Sequence, residues 1–192
     1  MIVVSFFTDD WEYPRHGARL KQECVALGLR HRIERLPSTG SYLKNCCMKP
    51  AFIQRCLLEE KEPVLWLDVD ASILAKPDFF SDDDPYDLQA KRMGSHRRRT
   101  WHMGTMWWAP TDATFEFIER WIANTGECSE ESSMEYTWRQ DHEKVRARDI
   151  PQEYFSWMTN LMPGAVIGHR LSASESKRQE VAFAAKYEQT VI

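Results

Sequence analysis

The apolar run Val64–Leu67, which leads directly into Asp68 and Asp70, constrains the fold more than any other part of the sequence. A short continuous apolar run behind a proline predicts a strand that is buried on both faces. Open α/β sheets bind ligands at the carboxyl ends of such strands, and residues i and i+2 of a strand point the same way. Two converging carboxylates need a cation or a proton between them, so the sharpest interpretation is a divalent metal that carries phosphate oxygens. The alternative is a polar strand end that leads into a turn.

Strands and helices alternate ahead of this run. Ile2–Phe7 predicts a buried strand, and Pro14 opens a helix that extends to about Leu27. A weak strand over 31–36 and a helix over 48–60 follow, and this alternating order predicts parallel strands joined by right-handed crossovers. Lys91–Arg99 predicts a basic loop without periodicity. The remaining predicted elements are strands over 86–90, 101–108 and 165–168, a helix from Thr111 to Gly126, and helices over 132–145 and 174–187.

Composition limits the class of protein. A chain of 192 residues fits one domain, 1–192, with a sizeable core, and its net charge of −4 argues against nonspecific nucleic-acid binding by the whole surface. The five cysteines include the adjacent Cys46 and Cys47 and form no C-x-x-C pair, which favours reduced thiols in a cytosolic compartment. The first residues lack a basic region and are too few to span a membrane. We therefore expect a cytoplasmic protein, in the host cytoplasm if the protein is viral.

Several basic side chains suit the same site as the acidic pair. His169 follows the predicted strand Ala165–Gly168, so it also lies at a strand end, and a neutral imidazole is an acceptable third ligand for Mn²⁺. Lys49 begins the second helix, where backbone N–H groups favour anions, and Lys177 lies in a serine-rich stretch that could wrap a phosphate. The alternatives are an ordinary capping histidine and two solvated lysines.

Two further residues are candidates. Gly104 lies between bulky neighbours in a predicted strand, where a glycine marks the close approach of a ligand or, alternatively, a bulge or a packing accommodation. Asp141, between Gln140 and His142, lies well inside or near the end of a predicted helix, where an acidic residue is ordinarily solvated.

The ordered set of these elements resembles the GT-A glycosyltransferases, the nucleotide-diphospho-sugar transferases of the glycogenin-like, DxD type. The resemblance covers nearly the whole chain. It is carried by Val64–Ser72, by Trp101–Thr105 in place of the F-N-x-G strand, by Arg139–His142 in place of the D-Q element, and by Val166–His169.

The resemblance implies a single-domain, Rossmann-like α/β fold with a mixed, mostly parallel sheet flanked by helices. It implies transfer of a sugar, from a UDP-sugar first of all, to an acceptor hydroxyl with Mn²⁺ or Mg²⁺ as cofactor. The implied metal ligands are Asp68, Asp70 and His169. The implied nucleotide and diphosphate contacts are Thr8, Tyr13, Lys49, Asp68 and Lys177. The implied sugar and acceptor contacts are Trp101, His102, Gly104, Thr105, Asp141 and His142. In an inverting enzyme Asp141 would be the catalytic base, and in a retaining enzyme it would position the sugar.

Two substitutions depart from the family pattern. His102 stands where many members have asparagine, and His142 replaces the glutamine of D-Q. They leave the sugar and the acceptor open, but they do not touch the metal and diphosphate elements.

The acceptor hypothesis comes from the basic loop Lys91–Trp101, which contains Arg97, Arg98 and Arg99. Basic residues interleaved with tryptophan could follow a phosphate backbone and stack on a base. A bacteriophage enzyme that glycosylates a modified DNA base would need such a loop. The alternatives are a solvated loop, a loop that closes on the donor diphosphate, and a saccharide, lipid-linked glycan or protein side chain as acceptor.

Two other classes compete with the transferase. The segment Asp68–Ser72 approximates the D-x-D-x-T motif of haloacid-dehalogenase-like phosphatases, but that family carries its motif on the first strand. A noncatalytic module that only binds nucleotide sugars would keep the same fold, since fold does not imply function. A calcium loop is excluded because Ile73 occupies the position that needs glycine.

Overall fold

The computed structural model describes residues 1–94, 100–125 and 129–170 of the chain. Its strands are β1 (Ile2–Phe7), β2 (His31–Arg35), β3 (Val64–Leu67), β4 (Ser72–Ile73), β5 (Leu88–Met93), β6 (Thr100–Trp108), β7 (Ala147–Asp149), β8 (Ser156–Trp157) and β9 (Ile167–His169). Its helices are α1 (Tyr13–Ala26), α2 (Tyr42–Cys46), α3 (Lys49–Glu60), α4 (Asp112–Asn124) and α5 (Glu130–Asp141), with a 3₁₀ turn at Gln152–Tyr154.

A six-stranded sheet in the order β2-β1-β3-β6-β5-β7 forms the centre of the fold. β1 pairs in parallel with both β2 and β3, which confirms the pairing predicted from the alternating elements. β6 runs antiparallel to its neighbours β3 and β5, whereas β7 is parallel to β5. The sheet is therefore mixed and mostly parallel, and the predicted α/β class with flanking helices is confirmed.

A second, three-stranded sheet in the order β4-β9-β8 lies beside the end of β3 and the middle of β6. β4 pairs antiparallel with β9, so that Ser72 lies opposite Gly168. This pairing brings His169 next to the segment that follows Asp70, although about a hundred residues separate the two along the chain.

β3 is buried on both faces, as its apolar run predicts. Val64 and Trp66 pack into a core under α3, α4 and α5, whereas Leu65 and Leu67 pack into a second core under α1 and the small sheet. Burial of each such side chain stabilises the fold by about 1.5–3 kcal/mol. The two cores hold the end of β3, and with it the acidic pair, in a rigid position.

Local signals explain most of the element boundaries. The side chain of Thr111 accepts a hydrogen bond from the backbone N–H of Thr114, which confirms the predicted N-cap of α4. The helix predicted over 132–145 begins two residues earlier, at Glu130, because Ser129 caps it. It ends at Asp141. The helix end predicted at Gly126 and the helix predicted over 174–187 lie outside the described residues.

The prediction that Lys91–Arg99 is a loop from its first residue was wrong. Lys91–Met93 continue β5, because Lys91 donates to the backbone carbonyl of Ile150 and Arg92 lies over the ring of Trp101. The short elements α2, β4, β7 and β8 were not predicted, since two to five residues carry too little periodicity. Within the described residues, no helix has both the length and the apolar character that a membrane span requires.

Candidate active site

A cavity of about 520 Å³ opens where the carboxyl ends of β1 and β3 meet the middle of β6. Helix α2 and the first residue of α3 close one side of it, and the N-terminus of α5 closes another. Its volume lies in the range of small-molecule sites. Its lining residues are Phe6, Phe7, Thr8, Tyr13, Tyr42, Leu43, Asn45, Cys46, Lys49, Trp66, Asp68, Val69, Asp70, His102, Met103, Gly104, Ser129, Glu130, Glu131 and Ser132.

Asp68 and Asp70 both line this cavity, at the end of β3. The backbone N–H of Asp68 donates to the carbonyl of Gly104 at 2.9 Å, and the N–H of Ala71 donates to the carbonyl of Asp68 at 2.8 Å. The first bond continues the pairing of β3 with β6 by one residue, and the second closes a turn immediately after it. The interpretation of a polar turn is therefore correct for the backbone, and the turn carries both carboxylates to the cavity.

Lys49 lies between two carboxylates at the bottom of the cavity. Its ammonium lies 2.8 Å from Oδ1 of Asp68, forms an ion pair with Glu130, and donates to the carbonyl of Met103 at 3.1 Å. Only 4% of Lys49 is exposed. Three protein oxygens therefore surround this ammonium, and the predicted contact of Lys49 with a diphosphate stays a prediction.

The charges of this group do not balance, since one cation faces two carboxylates. Desolvation opposes the ionisation of Asp68, but Lys49 outweighs it and lowers the pKa of Asp68. Burial raises the pKa of Glu130 to about 7, against the opposing effect of Lys49. Asp68 also accepts a hydrogen bond from Nε1 of Trp66 at 3.1 Å. Asp68 is therefore the ionised partner of Lys49, and Glu130 is the carboxyl that holds a proton near neutrality.

Gly104 provides room for two imidazole rings. A Cβ at this position would lie 2.6 Å from Cε1 of His102 and 2.7 Å from Cε1 of His169. Of the two interpretations of Gly104, this geometry is the packing accommodation, and a contact with a ligand stays a prediction. Burial lowers the pKa of His102 to about 3 and that of His169 to about 4, so both rings are neutral at neutral pH.

His169 and Thr105 lie behind Gly104 and outside the lining of the cavity. Nε2 of His169 lies 2.8 Å from Oγ1 of the fully buried Thr105. The ring of Phe155 lies 4.9 Å from that of His169 and 4.0 Å from that of His102. Thr105 therefore contacts the histidine that was predicted as a metal ligand, and its own predicted contact with a sugar stays untested.

No three His, Cys, Asp or Glu side chains are grouped to hold a metal ion in the described parts of the chain. The chemistry of the donors nevertheless suits Mg²⁺ or Mn²⁺, which use one or two carboxylates together with substrate phosphates. The ion pair of Asp68 with Lys49 and its hydrogen bond from Trp66 both involve Oδ1. Asp68 and Asp70 thus fit a hard cation that is completed by a bound diphosphate.

Aromatic side chains also line the cavity. Thr8 at the end of β1 and Tyr13 at the start of α1 line it, as the predicted nucleoside contacts require. Tyr42, on the unpredicted helix α2, lies opposite, and the ring of Trp11 packs 5.6 Å from Tyr13 and 5.9 Å from Tyr42. Aromatic rings of this kind suit a planar base.

Asp141 and His142 lie away from the cavity. Asp141 ends α5, about 16 Å along the helix from Glu130. It is buried in ion pairs with Arg120 and Lys144, whereas His142 is exposed beside the ring of Trp138. The catalytic and acceptor roles predicted for Asp141 and His142 find no support in this placement.

The remaining predicted residues differ in where they lie. Trp101 packs in the core against Trp138, with ring centroids 4.9 Å apart. His102 lines the cavity, as predicted for a sugar contact. Lys177, Arg97, Arg98 and Arg99 lie outside the described residues.

The sequence reasoning missed the residues at the N-terminus of α5. Ser129 caps the helix by accepting a hydrogen bond from the N–H of Ser132, and Glu130 and Glu131 occupy the first turn. A serine followed by acidic residues is a helix-start signal that the sequence contains. This signal places Glu130, and not Asp141, at the first turn of α5.

Comparisons with known proteins found matches in sequence and in fold. The sequence model of the nucleotide-diphospho-sugar transferase family matches residues 18–181. No curated protein sequence matches the chain.

Solved structures share the fold at low identity. A glycosyltransferase involved in glycosylation of the major capsid of the virus PBCV-1 is 15% identical, with a TM-score of 0.70, over 94% of this chain and 97% of that one. Galactosyltransferase LgtC is 10% identical with a TM-score of 0.53, over 97% and 96% of the two chains. The glycosyltransferase GlyE of Streptococcus pneumoniae TIGR4 is 14% identical with a TM-score of 0.61, over 91% and 55%. Since the family model spans more than half of the chain, the protein belongs to the nucleotide-diphospho-sugar transferase family and is a glycosyltransferase.

Proposed function

We propose that this glycosyltransferase moves a sugar from a nucleotide diphosphate, UDP first of all, to an acceptor hydroxyl in a reaction that needs Mn²⁺ or Mg²⁺. The observation that carries the proposal is the pair Asp68 and Asp70 at the end of a doubly buried strand, in a cavity lined by aromatic and acidic side chains. A diphosphate at the pair would direct its nucleoside towards Tyr13 and Tyr42, and its sugar towards Glu130.

Asp68 and Asp70 would hold the metal together with the donor phosphates, and His169 stays the predicted third ligand. The metal would supply positive charge to the departing diphosphate. The neutral state of the His169 imidazole suits ligation, because the uncharged ring has a lone pair to donate. Lys49 fixes the orientation of Asp68 through their 2.8 Å contact.

We assign to Glu130 the role that was predicted for Asp141, the acidic residue of α5 that acts on the acceptor or the sugar. This residue lines the cavity, and its pKa of about 7 suits a group that accepts or holds a proton near neutrality. In an inverting reaction Glu130 would take the proton of the acceptor hydroxyl, and in a retaining reaction it would position the sugar.

The phosphatase alternative needs the acidic pair on the first strand of the fold. Here the pair follows β3, the third strand along the chain, within a chain of the transferase family. The acceptor, including a modified DNA base approached by Arg97, Arg98 and Arg99, and a bacteriophage origin both stay predictions. The prediction of a DNA acceptor is tested by replacing those three arginines together by alanine, which should abolish duplex binding at low salt.

The test of the function is thermal stabilisation by Mn²⁺ together with UDP, GDP and their sugars. We expect a rise in Tm that needs both metal and nucleotide, and slow hydrolysis of the matching sugar nucleotide. The variant Asp70→Asn should lose this rise. Asp83→Asn, a change of the same kind on an exposed turn, should keep it.

Two results would count against the proposal. A Tm that does not respond to any metal and nucleotide pair would remove the donor site. Stabilisation without turnover of any sugar nucleotide would favour the noncatalytic module instead.

A further inference from the structure

Helix α1 reaches across to the turn that carries Asp70. Nη2 of Arg19 donates to the carbonyl of Ala71 at 2.7 Å and lies 3.4 Å from the carbonyl of Val69. These two carbonyls belong to the residues on either side of Asp70. One guanidinium therefore holds the peptide group that precedes Asp70 and the peptide group that follows Ala71, so it anchors the turn on both sides of Asp70.

Glu23, one helical turn further along α1, contacts the same segment. Its Oε2 accepts a hydrogen bond from the N–H of Ile73 at 2.9 Å, and its Oε1 lies 3.3 Å from Nε of Arg19. Residues i and i+4 share one face of a helix, so the pair forms a bracket of one donor and one acceptor. The Arg19–Glu23 bracket thus binds the backbone of residues 69–73 at three points.

The bracket is more than a surface ion pair. The side chains of Arg19 and Glu23 are 24% and 22% exposed, and both contact backbone groups about 50 residues away. The guanidinium of Arg19 lies against the carbonyls of the two residues that flank Asp70 and against Oε1 of Glu23. The planar guanidinium can reach two carbonyls and a carboxylate at once, which an ammonium cannot do.

We infer that Arg19 is a positioning residue for Asp70: through the carbonyls of Val69 and Ala71 it holds this carboxylate in the direction needed to bind the metal–diphosphate unit. The inference rests on the proposed function, since it assigns Asp70 to that unit. It also explains why a turn without regular structure can present a carboxylate accurately. Preorganisation of this kind lowers the cost of binding.

The test compares Arg19→Met with Arg139→Met. Arg139 forms the same kind of i,i+4 pair, with Glu135 at 3.3 Å, on the exposed face of α5. The measurements are the Kd of Mn²⁺ at saturating UDP, the Kd of UDP without metal, and Tm. For R19M we expect the Kd of Mn²⁺ to rise at least tenfold and the Kd of UDP alone to change less than twofold. For R139M we expect both constants to stay within twofold of the wild-type values.

The outcomes separate this inference from the proposed function. Wild-type protein that does not bind Mn²⁺ and UDP together contradicts the function itself. Wild-type binding with an unchanged Mn²⁺ Kd in R19M overturns the inference alone, as does an equal loss of Mn²⁺ and UDP affinity, which is the mark of general structural damage. If R19M does not fold, Arg19→Lys is measured instead. The single ammonium of R19K should still raise the Mn²⁺ Kd at least threefold, and wild-type affinity in R19K would overturn the inference.

Discussion

Replacing Lys49 by methionine tests the charge balance at the bottom of the cavity. Methionine keeps the length of the side chain but removes the cation that lies between Asp68 and Glu130. Removing one partner of a buried ion pair costs about 3–5 kcal/mol, because the other charge is left without compensation. Here the side chain of Asp68 is 35% exposed and can regain water, and Glu130 can take up a proton. We therefore expect K49M to lose about 3 kcal/mol of unfolding free energy at pH 8, the low end of that range.

The cost should depend on pH in a defined direction. Without Lys49, the folded-state pKa of Glu130 rises further above its unfolded value, and the pKa of Asp68, which Lys49 lowers in the wild type, rises as well. Stability from such a raised pKa is present at low pH and is lost as the pH rises through the folded pKa. Each proton that the folded K49M protein binds restores up to about 1.4 kcal/mol of unfolding free energy per pH unit as the pH is lowered. The loss of stability in K49M at pH 5.5 should therefore be about half of the loss at pH 8.

The assay is urea unfolding at pH 5.5 and pH 8, followed by tryptophan fluorescence, for which buried rings such as Trp66 and Trp107 are suitable probes. The double variant K49M/E130Q should recover about 2 kcal/mol relative to K49M at pH 8, because one buried charge is then absent. Lys144→Met, which removes an exposed lysine 3.1 Å from Asp141, should cost less than about 1 kcal/mol. A cost of K49M below about 1 kcal/mol at pH 8, or one that does not change with pH, would refute the reasoning.

Three further predictions concern other parts of the fold. Gly104→Ala places a Cβ 2.7 Å from Cε1 of His169 and should lower the unfolding free energy by about 1–3 kcal/mol. It should also reduce the rise in Tm with Mn²⁺ and UDP, and an unchanged rise would contradict the packing argument. Asp87→Asn weakens the hydrogen bonds from the backbone and guanidinium of Arg146 and should cost about 2 kcal/mol in urea unfolding at pH 7. Burial alone would raise the pKa of Asp87, but the hydrogen bonds and charge of Arg146 outweigh it, so the pKa is lowered. The higher unfolding free energy of the wild type should therefore disappear as the pH falls through the folded pKa of Asp87. A stability difference that persists in acid would contradict this account. Lys61→Gly relieves a left-handed residue (φ 56°) at the end of α3 and should stabilise the protein by about 1 kcal/mol; a lower Tm would show that the lysine side chain matters more than its backbone.

Much of the fold could be predicted because its signals are local. The apolar run Val64–Leu67 has no polar position, so it can only be a strand buried on both faces, and Thr111 precedes an amphipathic stretch as an N-cap must. The predicted strand over 86–90 ended before Lys91 and Arg92, because charged residues in sequence are typical of a solvated loop. The ammonium of Lys91 in fact donates to the carbonyl of Ile150, and the guanidinium of Arg92 lies over the ring of Trp101. Only the folded chain provides these partners.

The sequence by itself determined which chemistry the protein could carry: two carboxylates at the end of a buried strand, and a histidine at the end of another. Only the tertiary structure decided which groups meet them. The periodicity of α5 indicates its buried face but not which end approaches β3, and the fold brings Glu130 to Lys49 while Asp141 pairs with Arg120 at the opposite end. The contact of Arg19 with the turn at Asp70 likewise depends on how α1 packs across the sheet. Long-range contacts of this kind follow from the packing of whole elements, which no local pattern encodes.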